Sequence, residues 1–287
     1  MALKEKYELV QEFLGENFAG LSSMLQTTYD ANPYKKDELQ YKQWQEQCAI
    51  NIPLLYLASL YLYKYGEEHN CTTYLFSTRD CCHWYRIFSK MYPDKEVYYF
   101  DCSRNMFKVA TRYKRKGYRK YVKEIADKNS LYIDIHGKGN HMIDFFRENF
   151  KYTPGCFFLS TGHSRYVDMP PQCLELYKRD RLHSIAFYAH GGPIEMLNYD
   201  NIGTLQDYDD KKGPKRDSLE YKEKLIKPYH ECINTFLNNL TVIDEHYDLK
   251  LLGKAVRKMF KWIRSSNQKP VISKYIEHVR SHPNKLI

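Results

Sequence analysis

The chain has 287 residues, a formal charge of +9, 27 tyrosines and 13 glycines. Aromatic content this high can fill a core, which excludes a disordered chain, and the length suits a large α/β domain with additions. The excess of base suits an anionic partner such as a nucleotide, a phosphorylated sugar, a nucleic acid or a membrane surface, without choosing among them.

Leu3, Tyr7, Val10, Leu14, Phe18, Leu21 and Leu25 recur at helical spacing and predict one amphipathic helix over 3–27. A second helical region follows over 39–67, interrupted near Pro53. Its apolar part, Ile50 to Gly66, is shorter and more polar than the ~20 residues a membrane span needs. Beyond it the pattern changes. Short β-favouring runs at 72–76, 96–101, 131–135, 155–160 and 184–191 alternate with helical segments. That alternation predicts βαβ units, and hence an α/β fold with a mainly parallel sheet flanked by helices. Helix patterns return after about Ser218. The organisation expected is an N-terminal helical extension (1–67), an α/β core with a ligand cleft (68–215) and a C-terminal helical extension (216–287).

The eight cysteines contain no CxxC pair, and Cys81 and Cys82 are adjacent, so no zinc-ribbon spacing or disulfide framework is visible. Buried free thiols act as small hydrophobes, and that usage suits a reducing compartment. The charged, helix-periodic N-terminus does not read as a signal peptide, so a cytoplasmic protein is expected.

In a doubly wound sheet ligands sit beyond the carboxyl ends of the strands. Ser77, Thr78, Arg79 and Asp80 follow the first run, and Asp101, Ser103 and Arg104 the second. Asp134, His136, Gly137, Lys138, Gly139, Asn140 and His141 follow the third; Ser160, Thr161, His163 and Arg165 follow the fourth. Hydroxyls and acids beside arginines predict a basic cleft for a phosphorylated ligand, since guanidinium forks match phosphate oxygens. The same Ser, Thr and Asp residues also suit helix N-caps. Two glycines after Asp134 exceed what a cap needs and let backbone approach a ligand. His136 and His141 suit either metal ligation or helix capping.

Between 190 and 210 lie Glu195, Asp207, Asp209 and Asp210, acids in a basic chain. They could hold Mg²⁺ or Mn²⁺, or supply a general base; Asp209 and Asp210 read as a solvated loop, and Glu195 sits among apolar neighbours. The basic segment 108–123 interleaves tyrosines with lysines and arginines, which suits single-stranded nucleic acid. It equally suits a solvated helix face or a cover over an anionic ligand.

The ordered set YLFSTRDCCHWYRIF, VYYFDCSRNMF, LYIDIHGKGNHMIDFF and EMLNYDNIGTLQDYDD resembles a family of α/β domains in polysaccharide-biosynthesis proteins. Those domains are often fused to haloacid-dehalogenase-type phosphatases or to glycosyltransferases, and the likeness spans about residues 72–210. The LYIDIHGKGNH element also looks like the ribose-phosphate loop of type I phosphoribosyltransferases. That resemblance implies that Asp134 holds sugar hydroxyls and that Gly137 to Asn140 receive a phosphate. It further implies that Arg79 and Arg104 face a pyrophosphate. The loop's second acid is Ile135 here, and Lys138, Asn140 and His141 stand where its threonines would be. A sugar donor with a diphosphate leaving group, nucleotide-sugar or phosphoribosyl-pyrophosphate-like, fits this departure.

There is no DxDx(T/V) phosphatase nucleophile and no GxxxxGK(S/T) kinase loop. The function expected is a glycosyl- or pentosyl-transferase acting on a glycan acceptor. Asp134 would hold the sugar, and Glu195 or Asp207 would act as base. Ser77, Arg79, Asp80, Ser103, Arg104, His136, Gly137, Lys138, Gly139 and Asn140 would bind the donor phosphates, with Mg²⁺ or Mn²⁺ as an optional cofactor. The alternatives are a nucleic-acid-binding protein using 108–123, or a non-catalytic scaffold of the same fold.

Overall fold

The computed structural model describes residues 2–36, 38–162, 169–187, 192–219, 223–243, 247–265 and 270–273. The 3–27 periodicity is realised as two helices, α1 (Leu3–Asn17) and α2 (Ala19–Asp30). Phe18 separates them in a non-helical conformation, its ring fully buried against Phe13 and Tyr247. Helix α3 (Leu39–Glu46) runs through a π turn (Gln47–Asn51) into α4 (Ile52–Glu68). Pro53 falls in the first turn of α4, directly after the π turn that interrupts the regular i→i−4 pattern.

Five strands form one parallel sheet: β1 (Thr73–Ser77), β2 (Glu96–Phe100), β3 (Ser130–Gly137), β4 (Gly155–Thr161) and β5 (Leu182–Phe187), in the order β2-β1-β3-β4-β5. The fold is thus α/β with a parallel sheet flanked by helices. Of the run 184–191, residues 188–191 lie outside the described residues.

Alternation along each strand sorts the core. Tyr74 and Phe76, Leu131, Ile133 and Ile135, and Phe157 and Leu159 face one apolar cluster. It also takes in α1 to α4, α5 (Cys82–Met91), α11 (Lys227–Asn239) and α12 (Leu249–Ser265). Both terminal helical segments therefore pack into the same core as the sheet. Leu75, Tyr132, Cys156 and Phe158 face the other cluster. There they meet α6 (Arg104–Tyr113), α7 (Lys116–Ile125), α8 (Asn140–Asn149) and α9 (Pro171–Lys178).

The basic segment is two helices, because Lys114 adopts a left-handed conformation between α6 and α7. A short helix, α10 (Gly192–Leu197), precedes an antiparallel hairpin of β6 (Leu205–Asp209) and β7 (Gly213–Arg216). Strand β7 has no sequence signature, since Gly-Pro-Lys-Arg is a poor strand composition. The described residues contain no helix long and apolar enough to cross a membrane.

The ring of Phe157 contacts those of Tyr61, Tyr65, Trp84 and His183, joining β4 to α4, α5 and β5. Phe157→Ala should cost about 3–5 kcal/mol, as for other buried aromatics, read as a lower midpoint in urea with unchanged slope.

Candidate functional site

The ladder between β1 and β3 ends at Phe76↔Ile133, whereas that between β3 and β4 continues to Gly137↔Thr161. Strand β3 therefore projects past its β1 neighbour, and a crevice opens where they part. Helix α5 returns over one face and α8 over the other, which is the arrangement that places ligands at a switch point. A cleft of about 920 Å³ lies there.

Asp134 is the first β3 residue beyond the shared ladder, so it lies within the strand rather than at its end. It shares a face with Tyr132, whose hydroxyl donates to Asp134 Oδ2 at 3.2 Å. Ser77, the last residue of β1, stands beside the same carboxyl and favours its anion. Burial first, and then the charge of Asp80, push the Asp134 pKa up to about 7. The acid pair of the cleft is therefore Asp80 with Asp134. Sequence reading had sought a second acid further along the chain.

The turn after β3 is tighter than predicted, with only Lys138 and Gly139 between β3 and α8. Gly139 has φ +74°, and a Cβ there would stand 2.9 Å from Phe158 Cζ, so glycine is required. Its conformation starts α8 at Asn140, leaving the helix N-terminus at the cleft wall. His136 bonds Ser160 Oγ through Nδ1 at 2.8 Å, and Thr161 donates to the Gly137 carbonyl at 2.8 Å.

The opposite wall is the 78–80 loop and the start of α6. Thr78 Oγ1 donates to the Cys102 carbonyl at 3.1 Å and lies 3.2 Å from the Cys102 N–H, tying the two loops together. Ser103 is the N-cap of α6, accepting from Met106 N at 2.9 Å and donating to the Leu205 carbonyl at 2.6 Å. Its hydroxyl is thus committed to the fold although it lines the cleft.

Arg79, Arg104, Lys108 and Lys138 supply the cleft's cations. Burial, followed by the charges of Lys108 and Arg104, holds His141 below the usual histidine range. Lys108 was read in sequence only as part of a basic run; its place one helical turn after Arg104 was the available signal.

Of the predicted site residues, Ser77, Arg79, Asp80, Ser103, Arg104, Asp134, His136, Gly137, Lys138, Gly139, Asn140 and Glu195 all line the cleft. Asp207 does not. It lies on β6, with Oδ1 3.9 Å from Arg115 Nε. Asp101 pairs with Arg216, and exposed Asp209 accepts from the Lys211 and Lys212 backbone in the hairpin turn. His163 and Arg165 lie outside the described residues. No protein-family model matches this chain, and no curated protein matches it.

A carboxyl whose folded-state pKa is raised contributes stability that is complete below its unfolded value of ~3.9 and is lost as pH rises through about 7. Asp134→Asn should therefore be more stable than the parent at pH 8, and the difference should vanish near pH 4. Paired urea melts across that range check it. Buried Glu46, also raised to about 7, is common to both proteins and cancels. Equal stability at pH 8 would refute an acid-flanked Asp134 with a raised pKa.

Proposed function

We propose that the cleft binds a sugar carrying a phosphate or diphosphate and that the protein transfers this sugar to an acceptor hydroxyl. The observation that carries the proposal is a hydroxyl-bonded carboxyl at the base of a crevice walled by Arg79, Arg104, Lys108 and Lys138.

The division of labour follows from charge. Asp134, deprotonated, accepts hydrogen bonds from sugar hydroxyls. Those donors favour the anion and offset the burial that raises its pKa. The cations meet the phosphates, and their field matters most as the leaving group gains charge. Backbone N–H groups at the start of α8 add to that field. Glu195 lines the same cleft, and in this reading it takes the acceptor proton. The paired acids Asp80 and Asp134 are also the cleft's means of holding Mg²⁺ or Mn²⁺, since both ions prefer oxygen ligands. The resemblance to domains of polysaccharide biosynthesis agrees with a glycan acceptor.

The nucleic-acid reading gains less from the helices of the basic segment. Tyr118 is fully buried and Tyr121 stacks on Tyr208 at 4.5 Å, so neither ring is presented for base stacking. Tyr113 is the exposed aromatic there, with Arg112 over its ring.

A thermal-shift screen of phosphoribosyl pyrophosphate, UDP- and GDP-sugars and nucleotides, with and without Mg²⁺ or Mn²⁺, tests the proposal. A donor at 100 times its dissociation constant stabilises by about 2.7 kcal/mol, a rise of several degrees in Tm. Arg104→Ala and Asp134→Asn should each lose that rise. If no donor shifts the protein while an oligonucleotide does, with or without Asp134, the transferase reading fails.

Once a donor is known, Glu195→Gln should lower kcat by about 10²–10⁴ with KM for the donor little changed. A parental kcat would remove Glu195 from the chemistry.

A further inference from the structure

Behind the loop that carries Arg79 and Asp80, the first turn of α5 meets α11. Cys82 and His83 come from α5 and His230 from α11, and one ligand atom from each lies within 4.8 Å of the others. His83 is fully buried, and neither ring nitrogen has a hydrogen-bond partner among the described residues. Such a ring has given up water at both nitrogens without replacement, which native interiors seldom leave uncompensated. It stands edge-on to His230, with ring centroids 4.5 Å apart, so the two imidazoles do not satisfy each other.

His230 is already oriented. Its Nε2 lies 2.9 Å from the Tyr199 carbonyl, so Nε2–H donates and Nδ1 keeps its lone pair. A backbone carbonyl holding one imidazole nitrogen while the other binds metal is the usual outer support of a ligating histidine. The Cys82 thiol is buried beside the Asp200 carboxylate. Asp200 is itself buried, and its Oδ2 accepts from Tyr99 at 2.6 Å.

We propose that Cys82, His83 and His230 bind a divalent transition-metal ion of the zinc class, with the Asp200 carboxylate beside Cys82. Thiolate and imidazole ligands select zinc over the oxygen-seeking Mg²⁺ and Ca²⁺. On binding, the Cys82 S–H bond breaks, its proton leaves to solvent and the sulfur lone pair forms the bond to metal; no electron is transferred. Cys82 thiolate and Asp200 carboxylate then balance the ion's two charges.

Cys82 and His83 are buried, His230 is half-buried, and none of the three lines the cleft, so the role assigned to the site is structural. It would tie the start of α5 to α11 and to the segment ending at Asp200. The Tyr99 hydroxyl also lies 3.2 Å from the Arg79 carbonyl, so the tie extends to the loop on one wall of the cleft. The proposal stands whichever ligand that cleft takes.

The test uses the purified full-length chain, stripped with a chelator and titrated with Zn²⁺ and then with Co²⁺. The expected result is one metal equivalent per chain, with Co²⁺ giving tetrahedral ligand-field bands and a thiolate charge-transfer band. Cys82→Ser should abolish the charge-transfer band. His83→Asn and His230→Asn should each weaken zinc at least tenfold. No stoichiometric metal in the parent, or parental affinity in all three variants, overturns the proposal. Zinc X-ray absorption on the parent covers the case of variants that do not fold. One sulfur with imidazole scattering supports the site, and a shell without sulfur, or with two or more, overturns it.

Discussion

Everything at the candidate site depends on where β1 and β3 stop sharing hydrogen bonds. A parallel sheet has to send each strand back over a helix, and here the returns leave from opposite faces at that one boundary. The helices cannot cover the space between them, so the strand ends there stay open to solvent. Because β3 runs on against β4, the residues beyond Ile133 keep extended geometry although one neighbour is gone. Pleating then decides which of them face the crevice. Asp134 and His136 share the face of Tyr132, while Ile135 turns into the opposite apolar cluster. A second acid at position 135 would point into that apolar core, so alternation along β3 leaves Asp134 without an acidic neighbour on its own strand in the crevice.

Much of this architecture was legible because it rests on local pattern. Strand runs such as TYLF and CFFL, the helices between them and the clustering of polar residues at strand ends all follow from short-range periodicity. Pairings across long sequence separations were not legible. Nothing near Asp101 announces Arg216, and nothing near Asp207 announces Arg115, yet those arginines engage the two acids away from the cleft. Ser103 shows the same limit from the other side. Its position was read correctly, but whether its hydroxyl serves a ligand or a helix start depends on Leu205. Cys82, His83 and His230 form no spacing motif, because proximity arises only when α11 packs on α5.

Asp80 and Asp134 illustrate how such packing changes chemistry rather than shape. Each alone reads as a capping or ligand-binding acid. Together in a crevice they cannot both ionise without cost, and that cost is seen in the raised pKa of Asp134. The Tyr132 hydroxyl and the Ile135 N–H limit that cost without removing it, since the Asp134 pKa is still held up at about 7. A site in this condition is poised: whatever brings hydroxyl donors or a divalent cation to the pair draws the proton off Asp134. On the proposed reading, sugar binding and deprotonation are therefore one event, linked by the same free energy that disfavours the empty anion. Anionic phosphates alone would favour the protonated acid, so on the proposed reading a ligand bearing both hydroxyls and phosphate satisfies floor and walls together. A nucleic acid held by α6 and α7 through its backbone would leave Asp134 unanswered, and that asymmetry is the physical reason to prefer the sugar.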